Sequence, residues 1–281
     1  MKKSKPVYSF NIPIKNPAFT TEYKRRLQDL ITKYHNEIKD IVDKNYYSDQ
    51  SELDFVSLFQ EMIKRNTKFR ADLNKLPGDF FNKKLKFVNN SMEKSFKKAT
   101  VQLAQSNKVY IGKDGKPAKV MIPAITFTAT REERAFLKSS AIENSQLIRS
   151  IGEEHIRRAS SAISNAMQTG SSREELFEEL SHGYGITKRR AAIIAIDQSS
   201  KITEQLSTFK MKNCGIKEGI WIHSHGDKKP RQTHLKMDGK KYNLDKGLYD
   251  SQVGKYVIPG ELPGCTCTKS PVIPDEWMET K

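Results

Sequence analysis

Apolar side chains recur at helical intervals early in the chain. Leu27, Leu30, Ile31, Tyr34 and Ile38 fall on one stripe, with charged residues between them. Such a stripe is one face of an α-helix turned toward a core, so residues 19–75 are predicted to form amphipathic helices. Pro77-Gly78 reads as an interruption. A second stripe follows it, carried by Phe80, Phe87, Met92, Phe96 and Leu103, with lysines at the polar positions.

The period then changes. Val109-Tyr110-Ile111 and Val120-Met121-Ile122 flank Lys113-Asp114-Gly115-Lys116. Asp-Gly between short apolar runs is the mark of a tight β-hairpin, whose turn needs positive φ angles. Placed between two helical regions, the hairpin near 109–122 reads either as a plain connector or as an arm reaching a neighbouring subunit.

Helical spacing returns over about 130–167, and Thr169-Gly170-Ser171-Ser172 marks a stop and a restart. Ser171 with Glu174, or Ser172 with Glu175, makes a capping box for a short helix through Leu180, which Gly183-Tyr184-Gly185 is predicted to close. A further helix starts at Thr187, turns Ile193, Ile196, Ile202 and Leu206 inward, and ends at Asn213-Cys214-Gly215, where glycine suits a left-handed cap. From Gly219 onward helical spacing is lost, and short β-like pieces such as Gly219-Ile220-Trp221-Ile222-His223 sit among Gly, Pro and Lys. The fold class is therefore α+β. A mainly helical region with its hairpin occupies 1–128, a helical connector 129–184, and a loop-rich α+β domain 185–281.

Charge adds a partner to this picture. The chain carries a formal +16, and residues 1–128 hold 25 basic against 13 acidic side chains. A field of that sign recruits polyanions through counterion release, which makes double-stranded DNA, bound without sequence preference, or an acidic protein surface the expected neighbour. Met1-Lys2-Lys3-Ser4-Lys5-Pro6 is followed by further breaks at Asn11 and Pro13, so no apolar core of a signal peptide is expected. The longest apolar run, Ala191 to Ile196, is too short to span a bilayer, and no membrane association is expected. Without an export signal, Cys214, Cys265 and Cys267 are expected to be reduced or metal-bound rather than disulfide-linked.

Candidate chemistry gathers in the last third. Arg190-Ala191-Ala192 leads to Ala195-Ile196-Asp197-Gln198 and Lys201. Then come Trp221, His223 and His225, Asp227 with Arg231 and His234, Asp238-Gly239, and Cys265-Thr266-Cys267. This order and spacing resemble the phage Mu protein F family of head morphogenesis proteins, the minor head proteins typified by phage SPP1. There, a helix with an Ala-x-Asp-Gln element precedes a Trp strand, an Asp-x-x-x-Arg-x-x-His segment, an Asp-Gly turn and a Cys-x-Cys. The resemblance covers roughly 185–272, with Ile196 where the family often has Arg and Lys229 where a second Arg is common. It implies a Mu F-like C-terminal domain in a minor capsid protein of a tailed phage, assembled in the host cytoplasm. Such a protein would sit inside the capsid near the portal vertex, with portal protein, DNA and the major capsid or scaffolding protein as neighbours.

Read without the family, Asp227 is suited to cap a turn and Arg231 to hold a carboxylate in a planar fork. Asp238-Gly239 is suited to reverse the chain so that His234 and Tyr242 face each other on strands, all as a polar network fixing loops. A sharper reading is a tetrahedral zinc site from Cys265 and Cys267 with two of His223, His225 and His234, the pair His225 and His234 foremost. A catalytic reading takes His234 as base, Asp227 or Asp238 as its orienting carboxylate and Cys265 as nucleophile, but no substrate-binding motif accompanies it, so no enzyme is expected. The remaining alternative is a DNA-binding regulator, from a helix-turn-helix outline across residues 172–196 with Lys188, Arg189 and Arg190 at its second helix.

Overall fold

A computed structural model describes residues 8–9, 17–45, 55–105, 110–112, 114–123, 128–225 and 230–280. Val109, Lys113, Asp227 and Lys229 lie outside the described residues, as does the side chain of Leu103. The chain forms two compact units, each built from separate stretches: 17–82 with 137–198, and 1–16 with 83–136 and 199–281.

The first unit is helical. Helix α1 (Pro17–Asn45) buries Tyr23, Leu27, Ile31, Tyr34, Ile38 and Ile41, close to the predicted stripe. Helix α2 (Phe55–Gln105) does not stop at Pro77-Gly78. Proline forfeits one intrahelical hydrogen bond. Here the buried side chains on both sides of it, Leu73 before and Phe80 and Phe81 after, hold the helix through that loss. Tyr23 stacks on Phe80 at 3.8 Å and Tyr34 on Phe69 at 4.2 Å, with their hydroxyls bonded to Asn144 and Asn66. Helix α3 (Arg131–Thr169) approaches closely at Gly152, where a Cβ would lie 2.7 Å from a Leu73 methyl, and Glu153 takes both guanidinium bonds of Arg70.

Helix α4 (Arg173–Asn213) corrects a second expectation, because it runs unbroken through Gly183-Tyr184-Gly185. Neither glycine has a positive φ. Tyr184 stacks on His35 at 4.4 Å, its hydroxyl meets Thr32 and accepts from Lys188 Nζ, and Thr187 Oγ1 donates to Gly183 O. These contacts hold the helical path where local propensity alone would break it, and the helix-turn-helix outline has no turn. Nor do all the predicted apolar positions of α4 face inward. Ala191, Ala195, Ile202 and Leu206 are buried, whereas Ile193 is 63% and Ile196 38% exposed.

Helices α3 and α4 both begin with reciprocal capping boxes. Thr130 Oγ1 accepts from Glu133 N while Thr130 N donates to Glu133, and Ser172 does the same with Glu175, the second of the two predicted pairings. Helix α4 ends as expected: Gly215 has φ 80°, Ile216 N bonds Met211 O and Gly215 N bonds Lys212 O.

In the second unit the hairpin of β1 (Tyr110–Ile111) and β2 (Pro117–Val120) turns at Gly115, φ 78°. It is not a free arm. Strand β8 (Met278–Thr280) pairs antiparallel with β2, so β2 is the centre of a three-stranded sheet made from distant parts of the chain. Another sheet has the order β4-β3-β7, with β3 (Glu218–Ile222) between β4 (Lys241–Asn243) and β7 (Thr268–Pro271). Strands β5 (Leu248–Asp250) and β6 (Lys255–Val257) form a two-stranded ribbon, and a short helix α5 (Gln232–Met237) lies between β3 and β4. Among the described residues no helix is long and apolar enough to cross a membrane.

Candidate metal centre

The site is built around β3. Trp221 is fully buried, and its backbone exchanges bonds with Gly239 and Lys240, which fastens the end of α5 to the strand. Asp238 closes α5: its Oδ1 accepts from His223 N at 2.8 Å and its Oδ2 lies 3.2 Å from His225 Nε2. The bond from His223 N, more than any other contact, holds the Asp238 carboxyl below its ordinary range. Gly239, φ 75°, makes the reversal as expected. His234, however, projects from α5 rather than from a strand, and the edge of its ring meets Trp221 at 5.1 Å.

Opposite it runs the segment leading into β7. Residues two apart on an extended chain project to the same side. Cys265 and Cys267 accordingly both turn inward, while Thr266 between them bonds Ser224 Oγ. His234 Nδ1 lies 3.4 Å from Cys265 Sγ and 3.7 Å from Cys267 Sγ. Backbone N–H groups of Gly260 and Cys267 donate to the first sulfur, and that of Ser224 to the second. Cys265 is thereby held below the usual thiol range, first by its contact with the Cys267 thiol, and the same contact together with burial raises Cys267. The pair favours a single negative charge.

The other ring nitrogen, Nε2, sits 3.2 Å from Asp250 Oδ2, a close electrostatic approach without the alignment of a full hydrogen bond. Gln252 N donates to Asp250 Oδ1 at 2.9 Å and fixes the carboxylate. His234, Asp250, Cys265 and Cys267 are at most 3% exposed.

Two residues past Cys267, Lys269 enters a buried ion pair. Lys269 Nζ donates to both the backbone carbonyl and Oε2 of Glu204, and each side chain is 1% exposed. Gly260, φ 76°, passes so close that a Cβ would lie 2.7 Å from Glu204 Cγ. A second interior pair, Lys210 with Glu133, ties α4 to the start of α3, and Lys210 also donates to Thr128 O.

Residues 157–270 match the family model described as Phage Mu protein F like protein. This stretch is similar to phage Mu protein F. A protein of Haemophilus influenzae described as an uncharacterized protein is 31% identical over 130 residues, 46% of this chain, and the chain spans 28% of that relative's length. No solved structure matches the chain. The Mu F-like region begins inside α3 and ends within β7, so it contains the whole Cys-His cluster and the Glu204–Lys269 pair, whereas the hairpin and β8 lie outside it.

Within the Mu F-like region, several sequence-predicted roles change. Cys265, Cys267 and His234 converge, with ligand atoms within 4.8 Å of one another. His225 does not join them, because its ring is turned to Asp238, and His223 Nδ1 accepts from His225 N. The cysteines are free thiols, not a disulfide. Arg231 donates to the backbone carbonyl of Pro263 at 2.7 Å rather than to a carboxylate, bracing the loop before Cys265. The carboxylate that faces His234 is Asp250, not Asp238; Asp227 is outside the described residues.

On α4, Arg190 donates to Ser150 and Gln198 is buried beside Asp197, in the helical unit, while Lys201 belongs to the other; none of the four joins the cluster. Sequence reading missed Asp250, Glu204 and Lys269. Nothing local distinguishes them from surface charges, because their roles depend on partners far away in the chain.

Proposed function

We propose that this protein is a minor head protein of a tailed bacteriophage, acting in head assembly and in packaging, retention or delivery of the genome rather than as an enzyme. The observation that carries this reading is the phage Mu F-like match over residues 157–270. The character of the described site supports assembly over turnover. A Cys-His-Asp set could serve nucleophilic chemistry, but all of its members lie in the interior, where a substrate would not reach the sulfur. Two thiols converging on one imidazole nitrogen also exceed what a single nucleophile needs.

The same reading places the protein in the virion, inside the capsid near the portal vertex, with portal protein as its partner, contacts to the major capsid or scaffolding protein, and DNA beside its basic helices. Helix α2 supplies a surface suited to DNA. Lys83, Lys86, Lys94 and Lys97 are exposed at spacings that put them on one helical face, and Lys97 is paired at 2.6 Å with Glu93, the acidic residue in that stretch. Lysines in such a row neutralise phosphates without reading bases.

The test is mass spectrometry of purified particles and of isolated portal complexes, together with DNA affinity measured against salt. The protein should be found in both preparations. Its affinity should fall steeply with salt, by a slope that shrinks when the four lysines are changed to glutamine. Absence from particles and their precursors, or salt-independent affinity, would remove the assignment.

A further inference from the structure

We propose that His234 Nδ1, Cys265 Sγ and Cys267 Sγ bind one zinc ion that staples α5 to the segment entering β7, with Asp250 orienting the imidazole from behind.

The distances carry the argument. Donors at ordinary Zn–S and Zn–N lengths, about 2.3 and about 2.0 Å, lie about 3.5 Å apart when they subtend a tetrahedral angle. The two sulfur-to-nitrogen separations here are 3.4 and 3.7 Å. Both sulfur–nitrogen separations therefore already match tetrahedral zinc, and the three donor atoms, all within 4.8 Å of one another, converge from two chain segments that share no secondary structure.

The surroundings match what such an ion needs. Two thiolates cancel a divalent charge, so the ion with its three ligands carries no net charge, the Asp250 carboxylate lying outside that set, and the heavy cost of burying an ion unpaired is avoided. Thiolates bound to metal are usually steadied by N–H donors, and here Gly260, Ser224 and Cys267 aim backbone N–H groups at the sulfurs. A metal-bound imidazole typically presents its other nitrogen to a carboxylate, which fixes the tautomer. Asp250 stands there, itself held by Gln252 N. The loop-rich domain has short strands of three to five residues around the cluster, so a metal cross-link would turn binding free energy into folding free energy. Three protein donors leave one coordination position for a further ligand.

Binding displaces the one thiol proton that the pair retains and releases it to solvent, with no change of oxidation state. The measurement is the metal content of full-length protein prepared with zinc and freed of loose metal, alongside the absorption of the cobalt(II)-loaded protein. One zinc per chain and a thiolate-to-cobalt charge-transfer band are expected in the wild type. Cys265→Ser and Cys267→Ser should each lose the metal, while Cys214→Ala should keep it. Asp250→Asn removes no ligand and should weaken binding roughly 10–100-fold in chelator competition. Wild-type protein that holds no zinc and gives no charge-transfer band would overturn the site, whatever the variants do. So would metal retained by both serine variants, or a Cys265–Cys267 disulfide in freshly prepared protein.

Discussion

His234 and Asp250 face each other in the interior, Nε2 to Oδ2, at 3.2 Å. The first projects from a short helix and the second ends a short strand, and the contact joins two elements that otherwise have little to hold them in register. Asp250 also anchors its own turn, accepting from Gln252 N through Oδ1 and from Gly254 N through its backbone carbonyl. Replacing it with alanine leaves the Gln252 N–H without its acceptor and removes the carboxylate that faces the imidazole, a loss of about 1–3 kcal/mol. Thermal unfolding followed by near-ultraviolet circular dichroism should show a lowered Tm; an unchanged Tm would mean that water replaces the carboxylate without cost.

Lys269 and Glu204 form an interior ion pair, and removing one partner strands the other charge. Lys269→Met should destabilise by about 3 kcal/mol, toward the lower end for buried pairs, because the field of Lys84 also reaches Glu204. Lys269→Met combined with Glu204→Leu should recover most of that loss. Denaturant titration of the three variants checks this, and a double variant no better than the single one would show that packing around the pair matters more than its charge.

His35 and His155 lie in the helical unit, and burial, more than any nearby charge, lowers both from the ordinary histidine value of 6.5 to about 4. Both are therefore neutral in the fold at neutral pH, while the unfolded chain takes up protons near 6.5. Their contribution to stability is fully present above that pH and is lost as the pH falls toward about 4. Tm measured across this range should decline, and His155→Gln should decline less. Parallel profiles for the two proteins would assign the acid sensitivity to carboxylates instead.

Gly185 sits inside α4 with open space where its Cβ would be and no positive φ. Alanine there should stabilise the protein by about 0.5–1 kcal/mol, since helical glycine forfeits that much in chain entropy. A destabilising result in denaturant titration would restore the turn that the Gly-Tyr-Gly sequence suggests.

Strand β8 supplies the second neighbour of β2, and Trp277 O accepts from Met121 N at 2.7 Å just beyond the pairing. Removing residues 278–281 should raise amide exchange at residues 118–120 and leave β3 protected. Exchange unchanged in the hairpin would mean that β1 alone holds it.

Local interactions explain what could be read in advance. The stripe of α1 follows from side chains three and four residues apart, the hairpin turn from glycine's tolerance of positive φ, and the Ser172–Glu175 box from groups one helical turn apart. Cys265 and Cys267 sharing a side with each other needs only the period of an extended chain. Composition narrows their companion to His223, His225 and His234, and only the structure singles out His234.

The sequence by itself thus determined the helical and hairpin elements, the α+β class and two kinds of ligand. Only the tertiary structure decided that α2 and α4 run through Pro77 and Gly183-Tyr184-Gly185, that β8 joins the hairpin, and that Asp250 rather than Asp238 faces His234. The reason is range. Inside a helix a glycine costs about 1 kcal/mol and a proline about 3 kcal/mol locally, and packing from distant residues such as His35 on Tyr184 outweighs it. A carboxylate's partner is set by where the chain returns, and no pattern of neighbours along the sequence encodes that.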